Sequence, residues 1–320
     1  MSILSSSRLK PIALMLGLGL TLSPWISACN DNRTINSTKS ISPNEAENPV
    51  RVGVLVIDSI EATRERYGPL LSELSAAIDK PVVFVSLPQE SQFDMVKAGK
   101  VDFVIANPLA SVQIRRLYNT EFLATISLQE TGPEFGGLIV VRPDSPITSI
   151  ADLRGKKGMC VSMRTAAAGC LFQLYHLQQK DVDPFEISNN ILIEENPSQD
   201  KIVQAVIDGE TDFGFVRTGQ LERMIKRGLL SSSDEVRVLE PIQDDFTTTR
   251  TTQLYPTWAV AALEDTPEAL VEQMRQAMLD IPAGHEALAA SGFEQLISPV
   301  DYSQIDVLIE SLNLPSAEVQ

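Results

Sequence analysis

From Val50 onward, short apolar runs alternate with amphipathic stretches, and this alternation restricts the body of the chain to α/β architectures. Residues 52–57 form an unbroken apolar run and read as a buried strand. Residues 61–78 follow with Leu70, Leu71, Leu74 and Ile78 on one helical face. Strands are expected at 81–85 and 102–106, with a short helix at 93–98 stopped by Gly99 and a further helix at 108–117 opened by Pro108. A Gly/Pro-rich crossover, Gly132-Pro133-Glu134-Phe135-Gly136-Gly137, precedes the apolar 138–141. A second series then sets strands at 158–161, 190–193 and 211–216 against helices at 166–179, 198–207 and 219–226. After Tyr255-Pro256, a strand at 258–263 and helices at 267–279, 285–291 and 302–312 return to the first series. The helix at 267 is expected to be capped by Thr266, with Pro267 at its first position.

One arrangement occurs twice. Lys97-Ala98-Gly99-Lys100-Val101-Asp102-Phe103 matches Ile207-Asp208-Gly209-Glu210-Thr211-Asp212-Phe213. Both are a helix end, a glycine cap and an Asp-Phe pair opening a strand. Two lobes of similar build follow, and 320 residues at 43% hydrophobic composition are enough to give each a core. The expected division is residues 50–137 with 251–320 as one lobe and 138–250 as the other.

The start of the chain has a different character. Arg8 and Lys10 precede an apolar run that ends near Leu22, and Ile26-Ser27-Ala28-Cys29 comes next, which is the pattern of a signal peptide over 1–28. The tetrapeptide resembles the lipobox of bacterial lipoproteins. That resemblance implies cleavage before Cys29 and its acylation, and so attachment to the periplasmic side of a bacterial membrane, the outer membrane in a Gram-negative cell. Residues 29–49 are polar and carry few large apolar side chains, as expected of a flexible tether about 25 Å long. No later stretch is long and apolar enough for a spanning helix.

The formal net charge is −16, and loss of the signal, with two bases and no acids, makes it two units more negative. Such a surface repels nucleic acid, but an anion in a cleft responds to the local field. Cys160 and Cys170 are open to a disulfide or to two reduced, buried thiols. His176 and His285 have no ligand pattern around them, and no metal or cofactor is expected. Neither a nucleophile elbow nor a phosphate-cradling glycine loop is present, so binding rather than catalysis is expected.

Candidate contacts for an anion follow from position. Ser162-Met163-Arg164-Thr165 stands at the expected start of a helix, where free N–H groups suit an anion and Arg164 adds a donor fork. The alternative is that Thr165 caps the helix and Arg164 is a solvated charge. Arg217 and Thr218 lie just past a strand end, the usual ligand position in an open α/β sheet. Pairing of Arg217 with Glu222 or Asp212 is the alternative. Asn107 has the same placement after the third strand, or is simply a turn residue before Pro108. Thr131 stands by the crossover, and Arg250 and Tyr255 flank the return, the alternative being that Tyr255-Pro256 is purely structural, with proline fixing the hinge turn.

Three segments carry a resemblance over residues 50–313: Gly99-Lys100-Val101-Asp102-Phe103 with Asn107-Pro108; Ile147-Thr148-Ser149-Ile150-Ala151-Asp152-Leu153-Arg154-Gly155-Lys156; and residues 205–215. The chain resembles the periplasmic phosphate/phosphonate-type substrate-binding proteins. The resemblance implies an α/β, two-lobe type 2 periplasmic-binding (Venus-flytrap) fold, with helices covering mostly parallel sheets. It also implies a small anionic ligand and an ABC permease as partner, and an aromatic contact near Tyr67, which is otherwise a core tyrosine. Phe215-Val216-Arg217-Thr218-Gly219, Leu254-Tyr255-Pro256-Thr257-Trp258 and Pro299-Val300-Asp301-Tyr302 are similar to the sensor domains of tetrathionate-responsive histidine kinases. With no kinase following residue 320, the partner would be a separate sensor kinase. Transporter members carry a Ser/Thr-rich turn that binds phosphoryl oxygens. Here the matching Ser162-Met163-Arg164-Thr165-Ala166-Ala167-Ala168-Gly169 keeps only two hydroxyls, so the expected ligand is an oxyanion, phosphonate-like or of sulfur.

Overall fold

The computed structural model describes residues 48–89, 91–192 and 198–314. The signal, Cys29 and most of the tether lie outside them. The chain opens with β1 (Val50–Val56), α1 (Ile60–Ile78), β2 (Val82–Pro88), α2 (Gln92–Lys97), β3 (Phe103–Ala106), α3 (Pro108–Tyr118) and β4 (Glu121–Leu128). The crossover strand β5 (Glu134–Phe135) leads to β6 (Gly137–Val141), β7 (Gly158–Met159), α4 (Phe172–Gln179), α5 (Pro184–Ser188), β8 (Ile191–Leu192), α6 (Gln199–Ile207), β9 (Phe213–Arg217), α7 (Gln220–Lys226) and β10 (Arg237–Val238). The return strand β11 (Tyr255–Pro256) is followed by β12 (Ala259–Ala262), α8 (Glu268–Leu279), α9 (Glu286–Ala289), β13 (Phe293–Ile297) and α10 (Ser303–Ser311).

The strands form a six-stranded sheet, β13-β4-β12-β3-β1-β2, a five-stranded sheet, β10-β6-β9-β7-β8, and the crossover pair β11-β5. The architecture is α/β, but each sheet is mixed rather than mostly parallel. β1 is parallel to β2 and β3, and β7 to β8 and β9, whereas β4, β12, β13, β6 and β10 make antiparallel pairs. The cause is the return from the second lobe: β12 enters between β3 and β4 against their direction, so the first sheet is complete only after the second lobe has been traversed.

The repeated segment has one physical role in both sheets. Gly99 and Gly209 take left-handed backbone, φ 60° and 73°, at the helix ends. The Asp102 Oδ2 atom accepts from the Arg51 N–H at 2.7 Å, and the Asp212 Oδ2 atom accepts from the Lys157 N–H at 2.8 Å. Each aspartate thus ties the opening of its strand to the neighbouring strand, and Phe103 and Phe213 behind it are fully buried. The 147–156 motif is local as well: the Asp152 carboxylate accepts from the Thr148 and Ser149 N–H groups, closing a capping box with Ser149.

Two helix starts differ from expectation. Residues 166–179 are not one α-helix: Ala167–Leu171 is a π-helical turn before α4. Cys170 is disulfide-bonded to Cys160, their Cα atoms 5.3 Å apart, and Gly169 packs so closely on Val161 that a Cβ would lie 2.9 Å from its Cγ2. Drawing this turn onto the end of β7 widens the helix there. Thr266 does not cap α8, because its hydroxyl donates to the Asp102 carbonyl and Pro267 holds the cap position.

Gly158 faces Phe213 on β9, and a Cβ there would fall 2.2 Å from the ring, so Gly158→Ala should cost about 1–3 kcal/mol in urea unfolding.

Candidate functional site

The parallel strands of both sheets deliver their carboxyl ends to one interlobe region, where ligands of open α/β sheets are held. Gln89 follows β2, Asn107 follows β3, Ser162–Thr165 follow β7, and Arg217 ends β9. The structure brings the first three together as a contact between lobes. The Thr165 hydroxyl donates to Gln89 Oε1 at 2.6 Å, and the Asn107 amide donates to the Thr165 carbonyl at 3.0 Å. Asn107 also caps α3, its Oδ1 accepting from the Ala110 N–H. Ser162 Oγ accepts from the Arg164 and Thr165 N–H groups. The Cys160–Cys170 disulfide closes this loop. The Arg164 side chain is exposed and makes no hydrogen bond or ion pair among the described residues.

Arg217 stands in a different setting. Its backbone N–H is held by Gln199 Oε1 at 2.7 Å, and its side chain is only 17% exposed. The closest carboxylate is that of Glu130, with Nη2 and Oε2 3.9 Å apart, beyond hydrogen-bond distance. The expected alternatives do not hold it: Asp212 binds the Lys157 N–H, and Glu222 is exposed. Burial holds the Arg217 guanidinium well below the ordinary arginine range, with repulsion from Arg223 adding to it and Glu130 opposing. Arg223 is displaced the same way, first by burial, and its Nε is buried without an acceptor. Arg66, on α1, lies within electrostatic reach of both and is paired with Asp58. A guanidinium removed from water and poorly matched by the protein carries a desolvation cost that an opposite charge would offset.

The remaining candidates are built into the frame. Thr218 is fully buried; its N–H donates to the Gly136 carbonyl and its Oγ1 accepts from the Gly136 N–H, clipping β9 to the crossover. Tyr255 stacks on Phe172 with centroids 3.9 Å apart, and burial pushes its hydroxyl above the usual range. Tyr67 lies in the first-lobe core, edge-on to Phe293 at 5.5 Å, its hydroxyl also pushed up by burial. Thr131 has a buried hydroxyl without a partner. Arg250 is taken up by Asp244 and the Thr252 carbonyl. Among the described residues no group of three or more His, Cys, Asp or Glu could hold a metal, and His285 caps α9 through Nδ1.

Gln89, Glu130, Arg66 and Arg223 join the site without having been singled out from the sequence. Gln89 follows a strand as Asn107 does, and that signal was available. Glu130 is drawn in only by the folding of the crossover, and Arg66 from α1 and Arg223 from α7 come within electrostatic reach of Arg217.

If Thr165 and Gln89 hold the lobes together, Thr165→Val removes that hydrogen bond, worth about 1 kcal/mol. Small-angle scattering should then give a larger radius of gyration than for the native protein without ligand; an unchanged radius would count against the contact.

The family described as "ABC transporter, phosphonate, periplasmic substrate-binding protein" matches residues 52–304. The tetrathionate sensor histidine kinase TtrS of Salmonella typhimurium is 26% identical over 266 residues, covering 82% of this chain; the chain spans 43% of the length of that kinase. PhnD1 from Prochlorococcus marinus, solved with methylphosphonate, superposes with a TM-score of 0.66 at 16% identity, covering 83% of this chain and 98% of PhnD1. XAC2383 from Xanthomonas citri, solved with ATP, gives a TM-score of 0.67 at 16% identity, again over 83% and 98%. These structures share the two-lobe periplasmic-binding fold. With the family matched over most of its length and its sheets, crossovers and interlobe strand ends in place, the chain belongs to the periplasmic substrate-binding proteins of the phosphonate ABC-transporter family.

Proposed function

We propose that the protein captures a small oxyanion between its lobes and delivers it to an ABC permease, held to the membrane through an acylated Cys29. The observation that carries the reading is Arg217, largely buried at a strand end, with its closest carboxylate 3.9 Å away. Burying a guanidinium is costly unless it is matched, and an oxyanion in the cleft supplies the match. The ligand differs from that of the phosphonate transporters in how it is held, because Thr165 of the matching turn is engaged by Gln89 and Arg164 points to solvent. Contacts from both lobes favour the closed state, which is the form a permease receives.

A second reading is supported by the likeness to the tetrathionate sensor kinase and by the Arg217-Thr218-Gly219 and Tyr255-Pro256 stretches: an accessory protein that binds an oxyanion, of sulfur in particular, and signals to a partner kinase. Neighbouring permease and ATPase genes favour the first reading; a kinase and regulator pair favours the second.

A thermal-shift panel of phosphate, phosphite, methylphosphonate, sulfate, thiosulfate and tetrathionate tests the binding step. A bound anion at a hundred times its Kd stabilises by about 2.7 kcal/mol. At least one should raise the melting temperature, and Arg217→Ala should abolish the rise. Silence of every anion on folded protein, with calorimetry agreeing, defeats the reading. The anchor is tested separately: Cys29→Ser should move the protein from the membrane fraction to the soluble periplasmic fraction.

A further inference from the structure

Arg217 and Arg223, both desolvated, share Glu130 as the carboxylate that acts on both, while Glu222 acts on Arg217 more weakly and is exposed. Asp58 is engaged by Arg66, and Asp200 by Arg227 and Gln220. Among the described residues Arg223 has the neutral Gln220 Oε1 as its acceptor, at 2.7 Å, and its Nε has none. The Arg217 side chain donates no hydrogen bond among the described residues. Glu130 is the group left to balance both, and it does so loosely, since its carboxylate stands 3.9 Å from Arg217 and its side chain is 37% exposed.

Two further features concern the same carboxylate. Glu130 Oε2 rests over Gly219, 3.1 Å from where a Cβ would stand, so the bare glycine, at φ 73°, leaves it room. Its main chain is fixed, the Glu130 carbonyl accepting from the Thr247 hydroxyl at 2.8 Å. A partly exposed carboxylate 3.9 Å from one incompletely matched guanidinium, and acting on a second, is placed as a stand-in for an anion.

We propose that Glu130 is a built-in competitor for the anion seat formed by Arg217 and Arg223, which the ligand displaces, and that the ligand is an oxyanion carrying no cationic group. This rests on the oxyanion-binding reading and specifies its seat. A ligand with an ammonium group would instead use Glu130 as a contact. The two cases give opposite signs: neutralising a competitor tightens binding, whereas neutralising a contact weakens it.

The test is calorimetric titration of the purified protein and of Glu130→Gln with sulfate, thiosulfate, phosphate, methylphosphonate and 2-aminoethylphosphonate at fixed ionic strength. Glu130→Ala is run alongside, and unliganded melting temperatures report folding. Removing a partly exposed competing charge should tighten binding of at least one of the four simple anions by roughly threefold to tenfold. Arg223→Gln should weaken the same anion. If the native protein binds a simple anion and both Glu130 variants bind it equally or less well, the competitor role is overturned while the oxyanion reading stands. If 2-aminoethylphosphonate binds best and loses affinity in the variants, Glu130 is a ligand contact and the proposal fails. If no probe binds any of the folded proteins, the oxyanion reading itself falls and takes this proposal with it.

Discussion

The positions of the two lobes depend on how Gly136 and Gly137 are gripped. Thr218 exchanges two hydrogen bonds with Gly136. Thr252 Oγ1 accepts from the Gly137 N–H at 2.9 Å, the Gly137 carbonyl accepts from the Thr251 and Thr252 N–H groups, and Thr251 Oγ1 accepts from the Ile139 N–H. The threonines are fully buried, so each main-chain group they satisfy would otherwise carry a desolvation cost. Glycine is needed beneath them: a Cβ at Gly136 would come within 3.1 Å of the Gln253 carbonyl, and one at Gly137 within 2.4 Å of the Gln173 amide. β5 and β11 pair beside this grip, and Phe135, Phe172 and Tyr255 pack around it. Arg217 is the residue just before Thr218, so the clip that joins the lobes also sets where the guanidinium stands.

The apolar core reinforces the same arrangement. One cluster runs from Leu109 and Val112 on α3 and Ile305 and Leu308 on α10, through Phe135 and Tyr255, to Phe172, Phe213 and Phe215 in the second lobe. Gln178 on α4 donates to the Ser311 carbonyl of α10. The crossover between the lobes is therefore packed and aromatic. The interlobe region has two unlike ends. At one, Thr165, Gln89 and Asn107 satisfy each other; at the other, Arg217 and Arg223 are desolvated and incompletely matched. At the second end desolvation is already built into the fold, which is why the proposed oxyanion is assigned there.

Much of the fold was legible because apolar periodicity and glycine caps are local signals. The segments ending at Asp102-Phe103 and Asp212-Phe213 were recognisable as equivalent, and the structure adds that both aspartates bind a neighbouring main-chain N–H. β4 and β13 were not read as strands: Glu121–Leu128 follows α3 through two residues, and Phe293–Ile297 alternates only weakly in burial. Their strand character comes from pairing with each other and with β12. The π-helical turn at Ala167–Leu171 was likewise hidden, since the close approach of Gly169 to Val161 and the Cys160–Cys170 bond are contacts through space that hydrophobic period does not encode.

By itself the sequence determined the α/β class, the two similar lobes, the crossover at 132–137 and the candidacy of Arg217, because hydrophobic period, turn residues and strand ends are written in neighbouring positions. Only the tertiary structure decided that the sheets are mixed, that Thr218 and Tyr255 serve the frame, that Thr165 meets Gln89, and that Arg66, Arg223 and Glu130 gather near Arg217. The physical reason is that desolvation and charge balance depend on which groups approach through space, and those groups come from α1, the segment after β4, and α7, elements far apart along the chain.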